Sequence, residues 1–392
     1  MQGASKGVQA RIKALNRTAL FTHCFAHNLN RALVNAACDT TVPDVRNFFG
    51  VVELVFTFVE GSAARHAYFV DAQRQFNPDV VPLHLKGLSD TRWNCRASSL
   101  RRLSTEIVLR AVMATIEHVS TTTTDGSVRG TAAGLLSTVA NFRFLMMLQL
   151  LTPVREAVNN VSEALQSSTV DILQAQQQVS ALTRELQRLR DDSAVTAAVS
   201  RAEQLARFLD INAKLSARRL DENAANAVSL SPMDKLKIKT YFPVIDRLVA
   251  ELRQRFPEEM SAFSCLHPRH FSDLDGEQKV RFLASRYQLD ADSAVSQWRL
   301  AHQFITANTT SSVDMLTVYG QIPATYAELR LLCRVLLTLP VTTASVERGF
   351  SKLTLVKPKL RSTMTQGRLE ALLIAAVERD FARLSDRKML LF

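Results

Sequence analysis

Apolar positions along this chain recur mostly at intervals of three and four. Val8, Ile12 and Leu15 share one helical face within residues 7–15, and Leu29, Leu33 and Ala37 share another within 28–37. Pro43 opens a further helix through "FFGVVELVFTFVEG" to about Gly61, and "SAARHAYFVDAQRQF" continues in the same period. The sharpest interval is Ile172, Ala175, Val179, Leu182, Leu186 and Leu189, spaced 3, 4, 3, 4, 3, which is an a/d seam. Val154, Val158, Val161 and Leu165 make a similar seam upstream, with capping residues in "QSSTVD" between the two. The pair predicts two antiparallel helices packing within one chain, because the heptads are too few for an intermolecular coiled coil. Val244, Leu248 and Leu252 repeat every four residues in a helix near 230–256. One short apolar run, "ALFTHC" at 19–24, reads instead as a strand.

Punctuation divides these segments. Pro78 and Pro82 mark a loop, and Asp90 is an N-cap candidate for a helix from about Arg92 to Val119. "STTTTDGSVRG" (120–130) is β-branched, polar and glycine-containing, and reads as a mobile loop. Residues 131–255 look helical nearly throughout, and 257–290, with Pro257 and Pro268, look looser. Helices are predicted at 291–307, 311–319 and 325–338, the last apolar almost all round and therefore buried. Pro340 ends it, and Thr342 and Thr343 are cap candidates for a helix starting near Ala344. A final helix at 365–384 places Leu369, Leu372, Leu373, Ala376 and Val377 on one face.

Composition adds little to this helical picture. Glycine (12) and proline (11) are scarce for 392 residues, which fits long uninterrupted helices. Apolar content of 47% and charged content of 22% are those of an ordinary globular protein. No run of eighteen or more uncharged apolar residues appears, so no membrane partner is expected. The five cysteines, Cys24, Cys38, Cys95, Cys265 and Cys333, are scattered and odd in number, which points to a reducing compartment. Lys and Arg outnumber Asp and Glu by 48 to 37, a net charge of +11 that would suit a phosphate-bearing partner.

Candidate chemistry is sparse. There is no phosphate-binding glycine loop, Gly-x-Ser-x-Gly elbow or His-Glu-x-x-His. Cys24 and His27 stand at a spacing that can share zinc, but a structural site needs four ligands. Cys265, His267 and His270 lie about 240 residues on as candidate partners. The competing reading makes Cys24 a packed strand residue and His27 a hydrogen-bonded helix start. "DTRWNCR" flanks Trp93 with Arg92 and Arg96; an aromatic between arginines can stack on a flipped base, or it can simply anchor a helix. "ERGFSKLTLVKPKLRS" carries Arg348, Lys352, Lys357, Lys359 and Arg361 with no acid after Glu347, which suits a phosphate backbone or a solvated basic face. Val346, Phe350 and Leu353 form an apolar face beside Glu347.

These residues sit in blocks that resemble a known family. "LTLPVTTASVERGFSKLTLVKPKLRSTMTQGRLEALLIAAVE" (337–378) resembles the C-terminal signature of hAT-superfamily transposases and their domesticated relatives. It is closest to the zinc-finger-MYM-like and protein-kinase-inhibitor-repressor-like branch. "GASKGVQARIKALN", "HCFAHNLNRALVNAACD", "LSDTRWNCRASSLRRL" and "FRFLMMLQLLTPVREAVNNVSEALQ" agree in the same order, so the resemblance spans essentially the whole chain.

The resemblance implies a ribonuclease-H-like α/β core interrupted by a large all-helical insertion. It implies DNA cutting and joining with two metal ions held by two aspartates and one glutamate. By motif, Glu347 corresponds to that glutamate, Trp93 to a tryptophan that stabilises a flipped base, and Cys24 and His27 to a Cys-x-x-His element. Residues around 323–378 correspond to a dimerisation domain. Two departures stand out: Gln2 occupies the place of an aspartate in the first block, and Gly349 replaces a serine in the last. Two divalent ions about 4 Å apart need several shared carboxylate oxygens, and a lone Glu347 does not supply them.

The expectation is therefore a mainly α protein, a domesticated or decayed and N-terminally truncated hAT-transposase-like chain that is not an enzyme. Its parts would be a core remnant at 1–40, in which the unpaired 19–24 strand packs on helices 27–37 and 344–356, a helical insertion at 41–322, and a dimerisation region at 323–384. It would form a homo- or heterodimer through Val346, Phe350, Leu353, Leu369, Leu372 and Leu373, with non-specific DNA contact through Arg92, Trp93, Arg96, Arg348, Lys352, Lys357, Lys359 and Arg361. The resemblance places it in the nucleus, otherwise the cytoplasm. No cofactor is expected. The alternatives are an active transposase or nuclease, which would need Mg²⁺ or Mn²⁺ and the missing carboxylates, and a DNA-binding transcriptional regulator.

Overall fold

The computed structural model describes residues 7–20, 24–38, 42–79, 81–87, 94–166, 172–215, 230–256, 259–308, 315–339, 344–358 and 363–377. Every regular element among them is helical. Ala19, Leu20 and Cys24, from the predicted strand, have no regular structure, and Phe21, Thr22 and His23 lie outside the described residues.

The first helix, α1 (Val8–Leu15), buries nothing: Val8, Ile12 and Leu15 share a face, as their spacing predicts, but all three are exposed. In α2 (Phe25–Cys38), Phe25, Leu29 and Ala32 are buried. Helix α3 (Pro43–Glu60) begins with a proline, which loses nothing there because first-turn N–H groups have no intrahelical acceptor. It meets α4 (Ala63–Phe76) at 98°. The corner needs glycine at Gly61, where an added Cβ would lie 2.3 Å from the Thr57 carbonyl oxygen.

Past α4 the chain runs without helix from 81 to 87. The predicted helix 92–119 is then two helices, α5 (Asn94–Leu103) and α6 (Glu106–Thr122). The break at Ser104 is stabilised by its hydroxyl, which donates to the Leu100 carbonyl at 2.9 Å and lies 3.0 Å from the Thr152 hydroxyl. The predicted 120–130 loop is mostly helix. Thr121 and Thr122 continue α6, their hydroxyls donating to the Glu117 and His118 carbonyls one turn back. Asp125 then caps α7 (Gly126–Val139), accepting from the N–H groups of Ser127 at 2.8 Å and Val128 at 3.2 Å.

Helix α8 (Phe142–Leu165) is the axis of the fold, touching α2, α3, α5 and α7 before it and two helices after it. Those two are α9 (Ile172–Leu189) and α10 (Asp192–Phe208). Both predicted seams are buried: Val154, Val158, Val161 and Leu165 on α8, and Ala175, Val179, Leu182, Leu186 and Leu189 on α9. The side chain of Ile172 lies outside the described residues. Pro153 inside α8 has no N–H for the Gln149 carbonyl, and Arg201 Nη2 approaches that oxygen at 3.4 Å from α10.

Helix α11 (Pro232–Leu236) passes through a π turn, Lys237–Tyr241, into α12 (Phe242–Arg255). The Phe242 N–H bonds back to the Lys237 carbonyl five residues earlier, just before Pro243 removes the next donor. The turn buries Thr240, whose hydroxyl donates to Asp44 Oδ2 at 3.1 Å; Arg143 Nη2 donates to the same oxygen at 2.6 Å. Asp44 thus joins α3, α8 and the π turn. Tyr241, its hydroxyl donating to the Leu189 carbonyl at 2.9 Å, is pushed well above the ordinary phenol range by burial.

The chain continues through α13 (Glu259–Ala262), 3-10 turns at Phe263–Leu266 and Pro268–His270, α14 (Gly276–Arg286), α15 (Ala291–Asn308), α16 (Met315–Gln321) and α17 (Ala327–Thr338). From 259 to 286 the chain is therefore largely helical, where a looser segment is predicted. Trp298 of α15 ties these elements together, its indole N–H donating to the Cys265 carbonyl at 2.7 Å. Last come α18 (Ala344–Val356) and α19 (Gln366–Val377), each packed chiefly on the other.

One continuous apolar core runs from Phe25 to Leu336 and takes in no described residue of α1, α18 or α19. The α2 helix belongs to this core. It packs on α12, with Phe25 and Phe256 ring centroids 5.0 Å apart, whereas α18 packs on α19. Among the described residues, the predicted pairing of helices 27–37 and 344–356 is not among the main helix contacts, and α2 packs on α12, α8 and α3.

Candidate functional site

The C-terminal helices differ sharply in how they dispose of their apolar residues. On α17, Leu329, Leu332, Cys333 and Leu336 face inward, while Leu331 and Leu337 are exposed. The helix predicted as buried all round is buried on one stripe. Its start is fixed by Gln297, whose Oε1 accepts from the Leu329 N–H at 3.0 Å and whose Nε2 donates to Glu328 Oε2. That hydrogen bond holds the Glu328 carboxyl below its ordinary range. Burial pushes the Cys333 thiol up to about 12, so it is an inert core residue at neutral pH.

No residue of α19 is buried. Leu369, Leu373 and Ala376 are half-buried at helical spacing, while Leu372, Ile374 and Val377 are exposed. On α18, Leu353 and Val356 are half-buried, whereas Phe350 is 62% and Leu355 74% exposed. A helix apolar around its circumference normally sits in a core. Here α19, apolar throughout from Ala371 to Val377, and the amphipathic α18 beside it carry Phe350, Leu355, Ile374 and Val377 on their surfaces. Exposed large apolar side chains on two helices packed on each other make this pair a candidate interaction surface. Leu355 and Ile374 were not predicted to take part; the available signal was that α19 is apolar on every side, leaving a second apolar face after Leu369 and Leu373 meet α18.

The other predicted site residues are scattered. Arg92, Trp93, Lys359 and Arg361 lie outside the described residues, as does Asp90. Arg96 is placed in α5, and Val346, Glu347 and Arg348 in the first turns of α18, with their side chains outside the described set. Lys352 and Lys357 are half-buried on α18 and just beyond it. Cys24 is buried and His27 exposed at the start of α2. Cys265 is in the core, its thiol raised by burial, and His270 lies between Gln177 at 3.1 Å and Asp273 at 3.1 Å. Among the described residues, no three of Cys24, His27, Cys265, His267 and His270 converge as metal ligands. No single described helix is long and apolar enough to cross a membrane.

Residues 302–381 match the family model for the hAT family C-terminal dimerisation region. The matched span runs from the end of α15 to just past α19 and contains every exposed apolar residue named on α18 and α19. The match covers 80 of the 392 residues and supports hAT-family membership through this region.

Proposed function

We propose that this chain works by self-association through the α18–α19 hairpin, as a domesticated or decayed hAT-type transposase of the zinc-finger-MYM-like and protein-kinase-inhibitor-repressor-like branch. One observation supports the reading: the span that matches a dimerisation region is also where, among the described residues, Phe350, Leu355, Ile374 and Val377 are exposed. Apposing two hairpins completes for each the surround that the monomer omits. Light scattering on the full chain at micromolar concentration should give a dimer. A monomer at that concentration sinks the proposal.

In this reading Glu347 is a vestigial carboxylate and the chain does not cut DNA. The support is chemical. Gln2 stands where the family block has an acid, and Asp44 is engaged by Arg143 and Thr240. Incubation with a DNA duplex and Mg²⁺ or Mn²⁺ should leave the duplex intact. Metal-dependent cutting that disappears in Glu347→Ala restores the enzyme.

The basic run from Arg348 to Arg361 and the net charge of +11 support a secondary, sequence-indifferent contact with DNA in the nucleus. Its affinity should fall steeply with salt and not differ between unrelated duplexes.

A further inference from the structure

We infer that Glu60, His66 and His84 form a binding site for a divalent transition metal of the zinc class, distinct from the carboxylate positions of the transposase motif. Their donor atoms all lie within 4.8 Å of one another, the one such convergence among the described residues. The site does not depend on the association proposed above.

The fold builds this arrangement from three separate pieces of backbone. Glu60 ends α3 and His66 lies in the first turns of α4, and the 98° corner at Gly61 brings them together. His66 Nδ1 is 2.7 Å from Glu60 Oε2. The third donor comes from the extended segment 81–87, held against the same corner at consecutive residues. The buried Gln73 side chain donates to the Leu83 carbonyl at 3.0 Å and accepts from its N–H at 2.9 Å. Glu60 Oε1 accepts from the Leu85 N–H at 2.9 Å, and Arg102 Nη1 donates to the His84 carbonyl. Between these ties the His84 ring stacks on His66, with centroids 5.2 Å apart and planes 9° from parallel.

The chemistry selects the ion. Two imidazoles and one carboxylate suit zinc and its neighbours, whereas Mg²⁺ and Ca²⁺ prefer oxygen shells. Zinc bonds near 2.0–2.1 Å place tetrahedral donors about 3.3 Å apart. To reach that spacing the 2.7 Å His66–Glu60 pair opens and the exposed His84 ring swings inward. The metal would displace the contact between His66 Nδ1 and Glu60 Oε2. The Leu85 N–H on Glu60 Oε1 orients the carboxylate in the way outer hydrogen bonds orient metal ligands. Three protein donors leave a fourth position for water. The bound ion clasps the 81–87 segment to the α3–α4 corner.

Titration of the full chain with Zn²⁺ against a chromophoric chelator should show an equivalent of bound metal that His84→Ala abolishes. His84 is exposed, so that variant should keep the metal-free melting temperature of the parent. Glu60→Gln keeps an acceptor for the Leu85 N–H and should weaken binding at least about tenfold. Co²⁺ should give a ligand-field spectrum without a thiolate charge-transfer band, and Mg²⁺ should not compete. Unchanged binding in His84→Ala, or a thiolate band that survives it, overturns the site and moves the metal to the cysteines.

Discussion

Helices α8 and α19 are both rich in apolar residues around their circumference, yet their fates are opposite. Of the 24 residues of α8, sixteen are buried, including Gln149, Thr152 and Arg155. Not one residue of α19 is buried. The difference lies in the neighbours. Among the described residues six helices surround α8, while α19 packs chiefly on α18. An apolar helix specifies that it needs a surround; it does not specify that its own chain supplies one. For α8 the surround folds with it, and for α19 the proposal made from the match to a dimerisation region is that a second copy supplies it.

The strongest way to break this contrast is to make the same kind of cut in both helices. Leu148→Ala removes a fully buried side chain from α8 and should cost about 2–5 kcal/mol in denaturant melts, with oligomeric state retained in the folded protein. Ile374→Ala should leave the stability of the monomer unchanged. If Ile374→Ala destabilises the diluted monomer as Leu148→Ala does, α19 belongs to the core and the contrast fails.

The next test acts on association alone. Ile374→Glu places a charge on a residue that is 58% exposed in the single chain. A residue central to an interface carries 2 kcal/mol or more, so dimer dissociation should become roughly 30-fold easier, or easier still. Analytical ultracentrifugation over a concentration series reads this directly. An unchanged dissociation constant would place the interface elsewhere, with the uncovered α1 face of Val8, Ile12 and Leu15 the first alternative.

A third prediction probes a core element held by polar rather than apolar contacts. Gln73→Ala strips both partners from the Leu83 backbone and should cost about 1–3 kcal/mol. Hydrogen exchange should localise the loosening to 81–87, leaving α8 and the hairpin protected as before.

These regions were unequally legible in the sequence. The α8 and α9 seams were readable because Val154 to Leu165 and Ala175 to Leu189 repeat at three and four, and burial follows that period. The exposure of Phe350 was not, because spacing groups residues on a face without saying what the face meets. The break at Ser104 depends on Thr152, which is remote in sequence. Glu60, His66 and His84 have no motif spacing; the Gly61 corner and the Gln73 tie bring them together. Trp93, assigned by motif alone, lies outside the described residues.

The smallest predicted effect concerns α7, which stands between the two extremes. It buries Ala132, Leu135 and Val139 but carries three glycines, Gly126, Gly130 and Gly134, each a poor helix former. Its composition reads as a loop at the N-terminal end, and the helix starts where it does because Asp125 accepts from two first-turn N–H groups. Asp125→Ala should therefore cost about 1 kcal/mol, the usual worth of a cap, and Asp125→Asn much less. Exchange of the first-turn amides of α7 should accelerate while those around Leu135 and Val139 hold. If the whole helix loosens, the cap is what keeps α7 in the core; if nothing changes, the buried stripe alone suffices. The second outcome would extend to α7 the rule that α8 and α19 state in opposite senses, that neighbours rather than local signals decide where an apolar helix resides.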